Sequence, residues 1–125
     1  MNRLLHRLLY RLLPLRAYLL TVSRLYFLTL ALGRGRHTRA LEYAYHLPRL
    51  LRPGDTAIDI GANLGYYTRP MSRIVGPEGR VYAVEPVPVI CEVLRRNLRG
   101  RDNVRILNCA LGDGDRPVEM ANDSV

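Results

Sequence analysis

Along the first third of the chain, apolar residues recur at helical spacing. Leu4, Leu5, Leu8, Leu9 and Leu12 share one side of a 3.6-residue repeat, while Arg3, Arg7 and Arg11 follow one another at four-residue steps on another side. The pattern predicts an amphipathic helix that Pro14 ends or kinks. A second apolar stretch runs from Ala17 to Leu32 with Arg24 in its middle. A membrane span needs about 20 apolar residues, and this stretch is shorter and interrupted. A cleavable leader is also not expected, because the Arg residues are scattered through the apolar region and no small-x-small site follows. Gly33 to Arg36 reads as a linker, followed by a helical stretch from about Thr38 to Leu47.

From Arg52 onward the period changes. Pro53-Gly54-Asp55 is a turn, and Thr56 to Ile60 is a short, β-branched apolar run that reads as a buried strand. The glycine-containing segment Gly61 to Gly65 precedes a helical stretch ending near Val75. Gly76 to Gly79 is a turn, Arg80 to Glu85 a second strand, and Pro88 to Leu98 a helix with Ile90, Val93, Leu94 and Leu98 on one side. Val104 to Leu107 is a third strand, and Pro117 to Met120 a short fourth segment. Strands alternating with helices imply an α/β, Rossmann-like parallel sheet with helical crossovers. The chain therefore divides into an Arg/Leu-rich helical segment, residues 1–50, and an α/β part, residues 51–125. Pro70 falls within the first expected crossover helix, where it would cost about 3 kcal/mol unless it occupies the first turn. A late helix start accommodates it.

Composition changes this picture in one respect. The 125 residues are 48% hydrophobic, enough for one small globular domain, and the net charge is +8. Residues 1–52 hold ten Arg and one acid, whereas residues 53–125 hold nine Arg and ten acids, so the basic character belongs to the N-terminal segment. Two readings of that segment stand side by side. Its Arg-lined helix lies on an anionic membrane surface, or its leucine faces pack on the α/β part and help to cap it. The charge does not point to nucleic acid: Arg95, Arg96, Arg99, Arg101 and Arg105 are interspersed with Glu92 and Asp102 and lack interleaved aromatics, the pattern of a solvated face. Cys91 and Cys109 form no C-x-x-C pair and have no neighbouring histidine, so they read as small buried apolar residues and not as zinc ligands. His6, His37 and His46 have no metal-ligand spacing, and no metal is expected.

Candidate chemistry gathers where such sheets bind ligands, beyond the carboxyl ends of the strands. Asp59, Gly61, Asn63, Gly65 and Glu85 all fall there. A dinucleotide fingerprint G-x-G-x-x-G fails, since it would need glycine at Asn63 and Tyr66. The pattern present is Asp-x-Gly-x-Asn-x-Gly, and its leading acid suits a cofactor with a cationic amino-acid end. Gly61 permits close backbone approach, Gly65 permits tight packing at the helix start, and Asn63 is among the few residue types that tolerate a left-handed conformation. Glu85, twenty residues beyond Gly65, can accept two hydrogen bonds from a ribose diol. Structural alternatives remain open. Asp59 could cap N–H groups of the loop, Glu85 could be a solvated strand end, Asn97 could cap its helix, Asn108 could form a turn, and Tyr66 and Tyr67 could be core or site wall.

At residues 59–68, 81–86, Asn97 and 108–113, the sequence resembles the FkbM family of methyltransferases, over roughly residues 50–124. The resemblance implies a class I methyltransferase fold with S-adenosylmethionine as donor, most often for O-methylation of a small-molecule, glycan or lipid acceptor. It implies that Asp59, Gly61, Asn63 and Gly65 surround the methionine part of the cofactor, that Glu85 holds the ribose, and that Asn108 to Ala110 lie near the adenine. It assigns no catalytic residue and no general base within this chain. It also implies a domain with more strands than these, so residues 1–125 alone are expected to be inactive. The expected location is cytoplasmic, with peripheral contact at the inner membrane surface through residues 1–32. The alternative is a non-enzymatic remnant whose basic helix binds a membrane or a partner.

Overall fold

The computed structural model describes residues 3–34 and 39–114. Two helices open the chain, α1 (Arg3–Leu12) and α2 (Leu15–Ala31), separated at Pro14, whose ψ of 146° is incompatible with continued helix. Then follow α3 (Arg39–Leu50), β1 (Thr56–Ile60), α4 (Thr68–Val75), β2 (Arg80–Val84), α5 (Pro88–Asn97) and β3 (Val104–Leu107). The segment 117–120 lies outside the described residues.

The three strands form one parallel sheet in the order β1-β2-β3. Ile60 pairs with Val84, and Val84 with Leu107, so all three carboxyl ends are level. Alternation then sorts the side chains. Ala83 packs with Ala62, Leu94 and Leu98, and half-buried Val104 and Ile106 close that cluster. The opposite face of β1 carries Ile58 and Ile60, which remain 61% and 68% exposed. The expected buried strand is thus buried in β1 only at Asp59, with Ala57 half-buried on the same face.

Two helix boundaries differ from expectation. Helix α4 starts at Thr68, several residues after the glycine segment, so Pro70 is its third residue. The first-turn N–H groups have no partner within a helix, and the missing one of Pro70 costs little there. Helix α3 continues past Leu47 to Leu50, with Pro48 in its last turn.

At its far end α4 is held by Asn103, whose amide donates to the carbonyls of Ser72 and Gly76, each at 2.8 Å. Helix α5 begins with Pro88, where proline's fixed φ suits a helix start.

The N-terminal helices are part of this packing. Helix α2 lies on α5, and α3 on α4. Ser23 and Phe27 of α2 are buried. Of the two readings of this segment, packing on the α/β part is the one α2 displays, because the helix face needed to lie on a membrane is partly committed to α5. Among the described residues no helix is long and apolar enough to cross a membrane. Cys91 is buried as expected, whereas Cys109 is exposed, because it follows β3 in an irregular segment beyond the sheet's edge.

Candidate cofactor-binding site

The turn from β1 to α4 carries the residues singled out in the sequence. Gly61 and Ala62 both donate their N–H groups to the carbonyl of Val84 at 2.9 Å, which bends the chain over the carboxyl end of β2. Asn63 follows with φ of 51°, the left-handed conformation its side chain tolerates. Gly65 has φ of 88°, and a Cβ there would stand 3.0 Å from Leu94 Cδ1. Its lack of a side chain is what lets the turn lie on α5. Around Gly61, by contrast, a Cβ would meet no atom within 4 Å, so its backbone is open to approach.

Glu85 is the hinge of the site. It is 5% exposed, directly after β2, and its two oxygens are divided between two backbone donors. Oε2 accepts from Asn63 N–H and Oε1 from Val87 N–H, both at 2.9 Å. The carboxylate therefore joins the glycine turn of one strand to the exit of the next. A carboxylate offers about four acceptor positions, so each oxygen keeps one for a ligand.

Asp59, on β1, is buried and accepts from both the hydroxyl and the backbone N–H of Thr68. It thereby anchors the first residue of α4, which is the capping role left open as the alternative. Burial pushes its carboxyl above the usual range, and the bonds from Thr68 only partly offset this.

The adenine-side expectation is placed less centrally. Asn108 donates to the carbonyls of Glu85 at 2.8 Å and Pro86 at 2.9 Å, so its amide hydrogens fix the turn after β2 and only its oxygen remains. Ala110 is exposed beyond it.

Around the turn the structure adds contacts that local sequence does not show. Thr68 was hidden because a threonine at a helix start is commonplace. Asn97 is the last residue of α5, and Leu98 is the cap instead. The Asn97 amide reaches back to Leu64 O and Ser23 Oγ, both at 2.9 Å. Tyr66 joins an aromatic cluster with α2: its ring lies 4.3 Å from that of Tyr26 and 6.2 Å from that of Phe27, with the Arg69 guanidinium 4.5 Å above Phe27. Burial, with neighbouring tyrosines adding to it, pushes the Tyr26 hydroxyl up to about 12, and Tyr66 is raised by burial as well. Both hydroxyls therefore stay protonated at neutral pH. A separate groove of about 490 Å³, lined by Ser72, Arg80, Arg101 and Asn103 among others, lies at the amino ends of the strands, the opposite end from the glycine turn.

A parallel sheet whose first strand ends in an acid and a glycine turn, and whose second ends in a buried acid gripping that turn, has the Rossmann-like fold of the class I methyltransferases. S-adenosylmethionine, the expected cofactor, is the methyl donor of that class. The chain belongs to the protein-L-isoaspartate(D-aspartate) O-methyltransferase family, whose sequence pattern matches residues 22–122. It is 32% identical over 100 residues to the protein-L-isoaspartate O-methyltransferase of Methanopyrus kandleri, covering 77% of this chain and 44% of that one. It is 34% identical over 89 residues to the enzyme of the same name from Aeropyrum pernix, covering 70% of this chain and 34% of that one. The chain thus spans less than half the length of these relatives. Among solved structures, a SAM-dependent O-methyltransferase of Thermotoga maritima superposes with a TM-score of 0.50 at 26% identity, covering 54% of this chain and 27% of that one.

These findings correct two expectations. The family shown is not the FkbM family. The residues that carried that resemblance lie in the glycine turn and beside the carboxyl ends of the strands, a part of the fold common to the class, so they mark the class and leave the family open. The expected small-molecule, glycan or lipid acceptor is overturned as well, because the matching family and relatives are named for protein L-isoaspartate. The peripheral membrane contact expected of residues 1–32 gains no support from these findings, since the family match begins inside α2, which packs on the sheet unit.

Proposed function

We propose that residues 59–65 and Glu85 bind S-adenosylmethionine, and that the chain acts in methyl transfer to the carboxylate of an isoaspartyl residue in a protein. The observation that carries this reading is the meeting of Asp59, the open Gly61 backbone and buried Glu85 at the level carboxyl ends of two adjacent parallel strands.

The residues fit the cofactor. Glu85 keeps one acceptor position on each oxygen, which suits the two hydroxyls of a ribose, and these would be charge-assisted bonds of about 1.5–3 kcal/mol each. Asp59 supplies negative charge for a cationic amino group, and Gly61 offers backbone without a side chain in the way. Asn108 and Ala110 would border the adenine, through the remaining Asn108 oxygen. When bound, the cofactor supplies a methyl group on a positively charged sulfur. The chain's own part is to orient it and exclude water around it. An isoaspartyl acceptor would present an α-carboxyl, ordinarily near pKa 3.3–3.7 and therefore already ionised at neutral pH. Such an acceptor needs no general base, which agrees with neutral tyrosines beside the turn.

Calorimetry with S-adenosylmethionine tests the cofactor site: Glu85→Gln keeps the size of the side chain, removes its charge and one acceptor, and should weaken binding about tenfold or more. Wild-type affinity in that variant, or tighter binding of NAD, would overturn the assignment. The acceptor is tested by transfer of label from the cofactor to an isoaspartyl peptide and its aspartyl isomer: label in the isoaspartyl peptide alone supports the reading, label in both overturns it, and label in neither accords with the expectation that residues 1–125 are inactive by themselves.

A further inference from the structure

Helix α2 is mostly apolar, yet its most buried residue is Ser23, with no exposed surface. A buried hydroxyl must be bonded or it costs stability. The two threonines of this helix satisfy their hydroxyls locally: Thr21 donates to Ala17 O and Thr29 to Leu25 O, each at 2.8 Å. Ser23 donates to Leu20 O at 3.0 Å in the same way, but it also accepts from Asn97 Nδ2 at 2.9 Å. Asn97 spends its other hydrogen on the carbonyl of Leu64 at 2.9 Å. A continuous chain of hydrogen bonds therefore runs from the backbone of α2, through Ser23 and Asn97, to the peptide that joins Leu64 to left-handed Gly65.

A second contact from the same helix lies on the other side of that glycine. Tyr26 and Phe27 pack against Tyr66, and Arg69 in turn covers Phe27. Residues 64 and 66 are thus both held by α2, with Gly65 between them against Leu94. Packing alone would not require this arrangement. Two apolar side chains at positions 23 and 97 would join α2 to α5 without the desolvation of a polar pair, whereas an amide with two donors can also fix a carbonyl in the turn.

We infer that α2 braces the cofactor turn, with Ser23 and Asn97 as positioning residues that set the orientation of the Leu64–Gly65 peptide and so the affinity for the cofactor. The inference rests on the cofactor reading above.

The whole 125-residue chain is the material for the test, with S-adenosylhomocysteine as probe. Calorimetry gives affinity, amide hydrogen exchange gives the order of residues 61–66, and thermal unfolding gives stability. Asn97→Asp keeps the shape and removes the donor to Leu64 O. Its affinity should fall about tenfold and exchange in 61–66 should accelerate. Ser23→Ala should do the same to a smaller degree, about threefold or more, and it decides the matter if Asn97→Asp does not fold. Thr29→Ala, which deletes a hydroxyl bonded only to its own helix, should leave affinity and exchange as in the wild type. Variants at 23 and 97 that melt earlier yet keep wild-type affinity and exchange would overturn the inference and leave only a helix–helix contact. If the wild-type chain binds no cofactor, the cofactor reading itself fails. The exchange of residues 61–66 then decides the brace, and unchanged exchange in both variants rejects it.

Discussion

Asp59 shows how one side chain can serve structure and ligand in opposition. Burial raises its carboxyl pKa, so the folded chain holds that proton more tightly than the unfolded chain does. The stability this contributes is fully present below the ordinary carboxylate value, about 3.9, and is lost as pH rises through the folded value. At neutral pH the ionised group therefore opposes folding. Asp59→Asn keeps an acceptor for Thr68 and removes the charge. Its thermal stability at pH 7 should equal or exceed that of the wild type, with the gap closing as pH falls toward 4, while calorimetry should show weaker cofactor binding. Lower stability at pH 7 would mean that the bonds from Thr68 outweigh burial. Reading the sequence identified Asp59 as the acid two positions before the first glycine, but not its partner nine residues on, because that contact depends on where α4 begins.

At the scale of elements, the turn between β1 and α4 is the unit on which the site depends. Its conformation is set by left-handed residues at 61, 63 and 65 and by the closeness of α5. Gly65→Ala combines an unfavourable φ with a Cβ at 3.0 Å from Leu94, and should cost about 1–3 kcal/mol in thermal or denaturant unfolding. The same change at Gly61, where space is open, should cost less in stability although φ is similar. A comparable loss at both positions would show that backbone strain, and not packing on α5, dominates. The glycines and their spacing were legible from residue type alone. The late start of α4 was legible only through Pro70, which needs a place in the first turn; that the helix begins at Thr68 was not, because Tyr66 and Tyr67 carry no local signal for where the turn ends.

The whole molecule presents one sheet with a covered face and a more open one. Ile58 and Ile60 stand on the open side of β1, which is an edge of the sheet among the described residues. An apolar strand face next to an unpaired edge favours association between copies. Light scattering of the 125-residue chain should show concentration-dependent association, and Ile58→Thr with Ile60→Thr should reduce it without disturbing cofactor affinity. A monomeric wild-type chain at high concentration would contradict this.

What the sequence determined by itself is what depends on local chemistry: three strands and their crossover helices from hydrophobic period, the break at Pro14, the turn glycines, whose spacing excludes the dinucleotide pattern, and two acids at strand ends. Each follows from neighbours within a few residues of one another. The tertiary structure alone decided which groups meet. Ser23 and Asn97 are 74 positions apart, and Asn63 and Glu85 are 22 apart. No periodicity links such residues, because a contact across the fold costs nothing in local propensity and leaves no local trace. The same reason explains why the N-terminal leucines could be read equally for membrane or for packing. An amphipathic face states that it must be covered, and only the folded chain shows that α2 spends much of its own face on α5 and the glycine turn.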